Sequence, residues 1–281
     1  MKGWKVDANI PQSEAAKVAV KWFEAVLNKT IVEIDDLFSK YRISEALMGV
    51  YKLFWDEFSA WYLEMVKPAF GAPIDEATYN ATLSYFDALL RLLHPFMPFI
   101  TEELWQNISE RGEGESIVVD RMPEATTFDA ALIEQMESAK TLIAGVRTIR
   151  MQKNIANKDS VELQVKGARY DGLDAVVFKM ANVSKLSNVE AFDATVVTFL
   201  VGTTEYGVPM GDRINVEEER KKIEADIKYY EGFLVSVQKK LSNEKFVNNA
   251  KPEVVENERN KQRDIESKLE ALRLSLAKLS K

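Results

Sequence analysis

Near the carboxyl end, Ile223, Ile227, Tyr230, Leu234, Val237 and Leu241 recur at alternating steps of four and three residues, and Ile265, Leu269, Leu272, Leu276 and Leu279 do the same. A seam that repeats in this way is apolar on one narrow stripe only, so each run requires a second helix to cover it. Between the runs stand Ser242 to Lys251 and then Pro252, a residue that cannot sit inside a helix but suits its first turn. The pattern predicts two helices of about 28 residues, each about 40 Å long at 1.5 Å per residue, folded back as an antiparallel coiled-coil hairpin over residues 213–281. Such an arm should project from a body. Its tip sets Lys239, Lys240, Lys245 and Lys251 against Glu244 alone, with Asn243, Asn248 and Asn249 beside them. A long hairpin that ends in basic and amide side chains has little structural reason to exist unless it reaches something.

Charge supports that division. The 281 residues carry 37 basic and 44 acidic side chains, yet residues 213–281 hold 16 basic and 13 acidic ones, so a mildly basic tail follows an acidic body. That asymmetry marks a partner-binding appendage, although charged helices also scatter this way. The chain has no cysteine and one histidine, His94, which excludes disulfide scaffolds, thiol nucleophiles, zinc fingers and most zinc enzymes. No metal site is expected. No stretch approaches the roughly 18 to 20 apolar residues of a membrane span, and Met1-Lys2-Gly3-Trp4-Lys5 opens no signal peptide. The expectation is a cytoplasmic protein with no membrane partner.

The fold class read from the body is mainly α, with a helical bundle over 1–125 and a small α+β subdomain over 126–212. From Ser13 to Tyr41, the apolar positions Phe23, Val26, Leu27, Ile34, Leu37, Phe38 and Tyr41 follow one helix face. A second helix begins near Ser44, a candidate N-cap. Its stripe comprises Leu47, Val50, Tyr51, Phe54, Phe58, Trp61, Tyr62 and Met65, and it ends where Lys67 meets Pro68. A third runs from about Asp75 to His94, where Pro95 and Pro98 stop it or bend it. Thr101 is then expected to cap a short fourth helix that carries Glu102 and Glu103 in its first turn. Short turns between these helices predict an up-and-down bundle. After the Gly112–Glu115 turn, Ser116–Val119 reads as a short edge strand. A helix covers about Asp129 to Asn154. Strand-like runs at Val161–Val165 and Val196–Val201 flank a helical stretch from about Leu173 to Ala181, and Gly202–Gly211 reads as a hairpin or return strand.

Candidate chemistry is sparse. His94, between Leu93 and Pro95, reads as a packed or capping residue. Glu217-Glu218-Glu219 reads as a solvated first turn, and Trp55, Trp61 and Trp105 as core anchors. The glycines never fall in a phosphate-loop or dinucleotide pattern, and no constellation of catalytic residues is present. Arg147, Arg150 and Lys153 recur every three residues on one helix, a basic strip suited to phosphate contacts or an ordinary solvated face.

The segment Leu89-Leu90-Arg91-Leu92-Leu93-His94-Pro95-Phe96-Met97-Pro98-Phe99-Ile100-Thr101-Glu102-Glu103-Leu104-Trp105 resembles the signature of the anticodon-binding domain in class Ia aminoacyl-tRNA synthetases of the valine, isoleucine and leucine group. Tyr51–Phe58 and Trp61–Glu64 look like that domain's second conserved helix. The tail, Lys240-Leu241-Ser242-Asn243-Glu244-Lys245-Phe246-Val247, then Lys251-Pro252-Glu253-Val254-Val255 and Glu258-Arg259, is similar to the C-terminal coiled coil of the valyl-tRNA synthetases. In that family the arm packs against the outer corner of the tRNA, where the D and T loops meet. The resemblance implies valine tRNA as partner. It implies Lys239, Lys240, Asn243, Lys245, Asn248, Lys251 and Arg259 as tRNA-binding residues of the arm, and Arg147, Arg150, Lys153, Lys40 and Arg42 as those of the body.

What the family needs for chemistry is not in this sequence. One histidine cannot supply a His-x-Gly-His type signature, and Asn182-Val183-Ser184-Lys185-Leu186-Ser187 resembles a Lys-Met-Ser-Lys-Ser type loop only superficially and reads as a helix end and turn. The resemblance therefore implies a piece that binds tRNA without catalytic residues or a cofactor of its own, while ATP belongs to the whole enzyme. The catalytic and editing domains would lie in the same parent chain. The family's first bundle helix would end just before Met1, as in a C-terminal fragment cut inside the anticodon-binding domain, and a monomer is expected. The rival expectation is a protein-interaction scaffold whose coiled coil recruits a partner helix or dimerises. The break at Asn248 to Pro252 counts against it, because a dimerising coil continues its seam.

Overall fold

The computed structural model describes residues 5–170, 172–193, 195–211, 216–243 and 252–279. The chain is mainly helical with small sheets. It divides into two compact units, one of residues 1–161, 168–185 and 201–204, the other of 162–167, 186–200 and 205–281.

The first unit is built on α1 (Glu14–Ser39). Its first turn is closed by Ser13, whose hydroxyl accepts from the Ala16 amide, one of the donors that a helix start leaves unpaired. Trp22, Phe23, Leu27, Ile31 and Ile34 form its buried face. The expected stripe continues through half-buried Leu37 and Phe38, the latter stacked on Phe96 at 6.1 Å. Tyr41 lies past the helix end with φ of 59° and points into solvent, so it adds nothing to the core.

Helix α2 (Ile43–Lys52) starts after Arg42, not at Ser44. It runs unbroken into a π-wound stretch (Leu53–Tyr62) and then α3 (Leu63–Val66). The wider i→i+5 winding keeps Phe54, Phe58 and Tyr62 on one face. There Phe58 stacks on Tyr62 at 5.3 Å, and Phe23 reaches Phe58, Tyr62 and Tyr85 at 5.0 to 5.2 Å. Burial pushes the Tyr62 phenol up to about 12 and raises that of Tyr85 as well. Both hydroxyls have partners, Thr82 Oγ1 at 2.8 Å and the Val20 carbonyl at 3.0 Å. Trp105 is buried as expected, but Trp55 is not a core anchor. It is 59% exposed and stacks on exposed Tyr51, because the aromatic face of this segment is already filled by Phe54, Phe58 and Tyr62.

Strands β1 (Val6–Asp7) and β2 (Ile74–Asp75) pair in parallel and tie the segment before α1 to the start of α4 (Glu76–Leu93). Asp75 caps α4 by accepting from the Thr78 amide at 2.8 Å. His94 closes α4, with Nδ1 2.8 Å from Thr101 Oγ1. Helix α5 (Pro98–Ile108) begins with Pro98, so Thr101 is not its cap. Thr101 sits buried one turn in and donates to the Met97 carbonyl. Residues Ile117–Val119 form a 3₁₀ turn instead of an edge strand. The Glu102 carboxylate takes the Ser116 hydroxyl at 2.7 Å and the Ile117 amide at 3.1 Å, which gives this segment a side-chain acceptor where a strand would need a neighbour.

Helix α6 (Ala130–Gln152) is capped by Asp129 and buries Met136, Leu142, Ile143, Val146 and Ile149. Lys140 joins it to the bundle. Its ammonium lies 2.6 Å from Glu57 and over the ring faces of Trp22 and Trp61. A four-stranded sheet has the order β4-β3-β6-β5, from β3 (Val161–Lys166), β4 (Val183–Asn188), β5 (Val196–Val201) and β6 (Thr204–Pro209). Gln164 faces Gly207 across the antiparallel β3–β6 pair. A side chain at Gly207 would meet Val196 at 2.4 Å, so glycine is required there. Helix α7 (Asp174–Ala181) ends at Asn182 with φ of 50°. The chain then enters β4, where the sequence suggested only a turn.

In the second unit, α8 (Val216–Leu241) and α9 (Pro252–Leu279) run antiparallel. Arg273 bridges to Glu231 at 2.8 Å and Lys240 lies 3.8 Å from Glu258, so residue numbers rise along one helix as they fall along the other. Val237, Ile265 and Leu269 are buried between the helices, with Ile227, Tyr230, Leu234 and Leu241 packed on them. The seam of α9 continues past Ile265 through half-buried Gln262 to buried Glu258 and Val255. The Glu217–Glu219 side chains and those of Leu279 and Pro252 lie outside the described residues.

Among the described residues, Glu102 and Glu258 titrate below the ordinary glutamate range. Gln106 and Ser116 donate to Glu102, and Lys261 donates to Glu258 at 2.8 Å, so each negative charge is held in place. A group whose folded pKa is depressed contributes stability above its unfolded value, and that contribution disappears as pH falls through the folded value. The melting temperature is therefore expected to drop as pH falls below about 4.5. Glu102→Gln together with Glu258→Gln should flatten that acid limb. An unchanged limb in thermal melts from pH 7 to pH 3 would show that neither pairing matters to folding.

Candidate nucleic-acid interface

The cations expected to matter fall into three groups. On the paired helices, Lys239, Lys240 and Arg259 are exposed, and Asn243 lies exposed just beyond the end of α8. Lys240 and Arg259 keep carboxylate neighbours, Glu258 at 3.8 Å and Glu256 at 3.6 Å. Such solvated pairs are weak and give way readily to a phosphate. Lys245, Asn248 and Lys251 lie outside the described residues. The two helices thus bring Lys239, Lys240 and Arg259 to one end of their packed length, where a buried Glu258 fixes Lys240 and Lys261 beside it.

At the turn between α1 and α2, Lys40 and Arg42 are exposed. Lys40 pairs with Asp36 at 2.6 Å and Arg42 forks onto Glu45.

The strip on α6 does not form one basic face. Arg147 is exposed and Lys153 half-buried, but Arg150 is 4% exposed. Its guanidinium donates to four backbone carbonyls: Ala156 at 3.1 Å, Asp159 at 2.7 Å, Ala181 at 3.0 Å and Asn182 at 2.8 Å. These carbonyls belong to the loop after α6 and to the end of α7, both of which turn at residues with positive φ, Asn154 and Asn182; backbone amides also reach those of Ala156 and Asn182, and the guanidinium gathers all four. Arg150 is therefore a structural clamp and not a phosphate ligand, which corrects the expectation drawn from its spacing.

Arg147 is held differently. It donates to the Met180 carbonyl at 2.9 Å and lies over the Trp61 ring, at the edge of an open cleft of about 690 Å³. Lys67, Pro68, Ile74 and Lys179 also line this cleft, and Lys179 donates to the Lys67 carbonyl at 2.7 Å. Neither Lys67 nor Lys179 was singled out by the sequence. They stand 112 positions apart, and only tertiary packing places them together. Among the described residues no group of acidic or histidine side chains could hold a metal ion, and no helix is long and apolar enough to cross a membrane.

Among the described residues, the bundle and the helix pair each present exposed arginine and lysine side chains. Comparison with known proteins gives the chain a class. Residues 20–165, more than half the chain, match the family described as the anticodon-binding domain of tRNA ligase, and the chain belongs to that family. Residues 215–280 match the valyl tRNA synthetase tRNA binding arm, so what the chain carries are the anticodon-binding and tRNA-binding arm domains of valine--tRNA ligase. It is 58% identical over 281 residues to the valine--tRNA ligase of Parabacteroides distasonis and 55% identical over 284 residues to that of Bacteroides thetaiotaomicron. It is 35% identical over 289 residues to that of Enterococcus faecalis. The first two matches cover 100% of this chain and the third 97%, but the chain spans only 32% of the length of each of these relatives.

Proposed function

We infer that the chain is the tRNA-holding part of a valine--tRNA ligase: it binds valine tRNA while catalytic and editing domains of the same parent chain attach valine with ATP. The observation that carries this reading is the succession of the two matched regions in one chain, each with exposed cations among its described residues. In this reading the parts are a bundle over 1–125, an α+β subdomain over 126–212 and a coiled-coil arm over 213–281. The protein acts as a monomer in the cytoplasm. Lys239, Lys240, Asn243, Lys245, Asn248, Lys251 and Arg259 meet the tRNA from the arm, and Arg147, Lys153, Lys40 and Arg42 meet it from the body.

Phosphate contacts release counterions, so log affinity should fall linearly with log salt at about 0.7 to 0.9 per phosphate neutralised. Titrating transcribed valine tRNA between 50 and 200 mM salt is expected to give a slope of several units. Binding that is absent at low salt, or that is insensitive to salt, would overturn the reading.

A further inference from the structure

We propose that the cleft edged by Lys67, Arg147 and Lys179 is a second tRNA contact, which takes the backbone phosphates of an unpaired stretch of the RNA while Phe70 stacks on one of its bases. This rests on the tRNA-binding reading above.

Three cations from three separate elements meet at this cleft: Lys67 just after α3, Arg147 on α6 and Lys179 on α7. All three are exposed. Their opposing charges are limited. Glu64 pairs with Lys67 at 3.0 Å but is itself half in solvent, and the Asp75 carboxylate is buried and occupied by the Thr78 amide. Packed neighbours push the Lys179 ammonium below the ordinary lysine range; Glu64 opposes that shift and the Lys67 ammonium adds to it. An anion seated between Lys67 and Lys179 relieves the repulsion between them. Arg147 is already oriented by the Met180 carbonyl and the Trp61 ring, so its remaining donors need little ordering to meet a phosphate.

The lining is mixed, with the apolar side chains of Ile10, Val66, Pro68 and Ile74 beside Ser13, Glu64 and Asp75. The loop that forms one wall turns at Gly71, whose φ of 78° suits glycine, and places Phe70 wholly in solvent at its tip. A fully exposed phenylalanine beside a basic cleft fits single-stranded RNA, whose unstacked bases lie on aromatic faces while a basic groove follows the backbone. A duplex fits poorly, because its bases are already stacked and its phosphates lie on a convex surface.

The test uses the full chain with transcribed valine tRNA and three variants, Phe70→Ala, Lys67→Ala with Lys179→Ala, and the arm variant Lys239→Ala with Lys240→Ala. All of these residues are exposed, and urea melts check that the variants fold like the parent. Phe70→Ala is expected to weaken binding roughly tenfold with the salt slope unchanged, as loss of a stacked base does. The cleft lysine pair should weaken it about tenfold and lower the slope by about two units. A photoreactive benzoylphenylalanine at position 70 should crosslink to an unpaired loop of the tRNA. If the cleft variants bind as the parent does while the arm variant is weakened, the cleft proposal falls and the tRNA reading stands. Crosslinking confined to duplex stems would also overturn it. Failure of the parent chain to bind tRNA at all sinks both.

Discussion

Replacing Arg150 with methionine is expected to cost about 3 kcal/mol of folding stability or more, without changing the salt slope of tRNA binding in the protein that remains folded. Methionine keeps much of the volume but removes four charge-assisted hydrogen bonds, and each such bond contributes about 1.5 to 3 kcal/mol. The four carbonyls it serves cannot all turn to water, since two end α7 and two belong to the loop after α6, and the guanidinium that joins them is 4% exposed. Arg150→Lys should recover only part of the loss. An ammonium is a compact point charge and cannot reproduce a planar fork aimed at two pairs of acceptors. Urea unfolding measures the effect. A loss below about 1 kcal/mol would mean that the clamp is dispensable, and a normal melt with a reduced salt slope would return Arg150 to the role its spacing suggested.

That spacing shows where sequence stops being informative. Helices α1, α4 and α6 were legible because a three-and-four apolar rhythm begins just after Ser13, Asp75 and Asp129, whose side chains then cap them. The runs that became β3 and β5 were legible from their β-branched alternation. A recurrence every three residues, by contrast, cannot say which member faces inward. Arg150 and Arg147 are one turn apart, yet one is enclosed by the end of α7 and the other looks out past it. Local signals failed where a distant side chain decided the outcome. Ser116–Val119 has strand-forming residues, but Glu102 supplies an acceptor that holds a tight turn. Thr101 has a capping residue's chemistry, but Pro98 already begins that helix and the Thr101 hydroxyl donates to the Met97 carbonyl.

Likewise the sequence reads the seam of α9 from Ile265, because Glu258 and Gln262 hide its earlier positions from any search for apolar periodicity. A polar residue on a seam fixes register at some cost in stability, and Glu258 does this here by pairing with Lys240 of α8 and Lys261 of its own helix. The cleft was illegible for a simpler reason. Lys67 and Lys179 have no local pattern at all, and their relation exists only once α3 and α7 pack.

The arm yields the larger of the functional predictions. Lys239 and Lys240 end α8, and Lys245 and Lys251 follow in sequence before Pro252 opens α9. Four cations within thirteen residues of sequence, with Glu244 as their one acidic neighbour in that stretch, form a concentrated charge, whereas the helices on either side carry acid–base pairs such as Arg273–Glu231. Alanine at all four positions is expected to lower the salt slope by about three to four units, since each lost phosphate contact removes close to one. Affinity at 150 mM salt should fall roughly a hundredfold, about 2.7 kcal/mol. Lys239 and Lys240 are exposed and lie outside the seam formed by Val237, Ile265 and Leu269, so the thermal melt should fall only by what the Lys240–Glu258 pair contributes. The loss should also be nearly the same for valine tRNA and for an unrelated tRNA, because backbone contacts position the partner without reading its sequence. Unchanged affinity and slope would remove the arm from the binding surface. A loss restricted to valine tRNA would instead assign base recognition to these lysines.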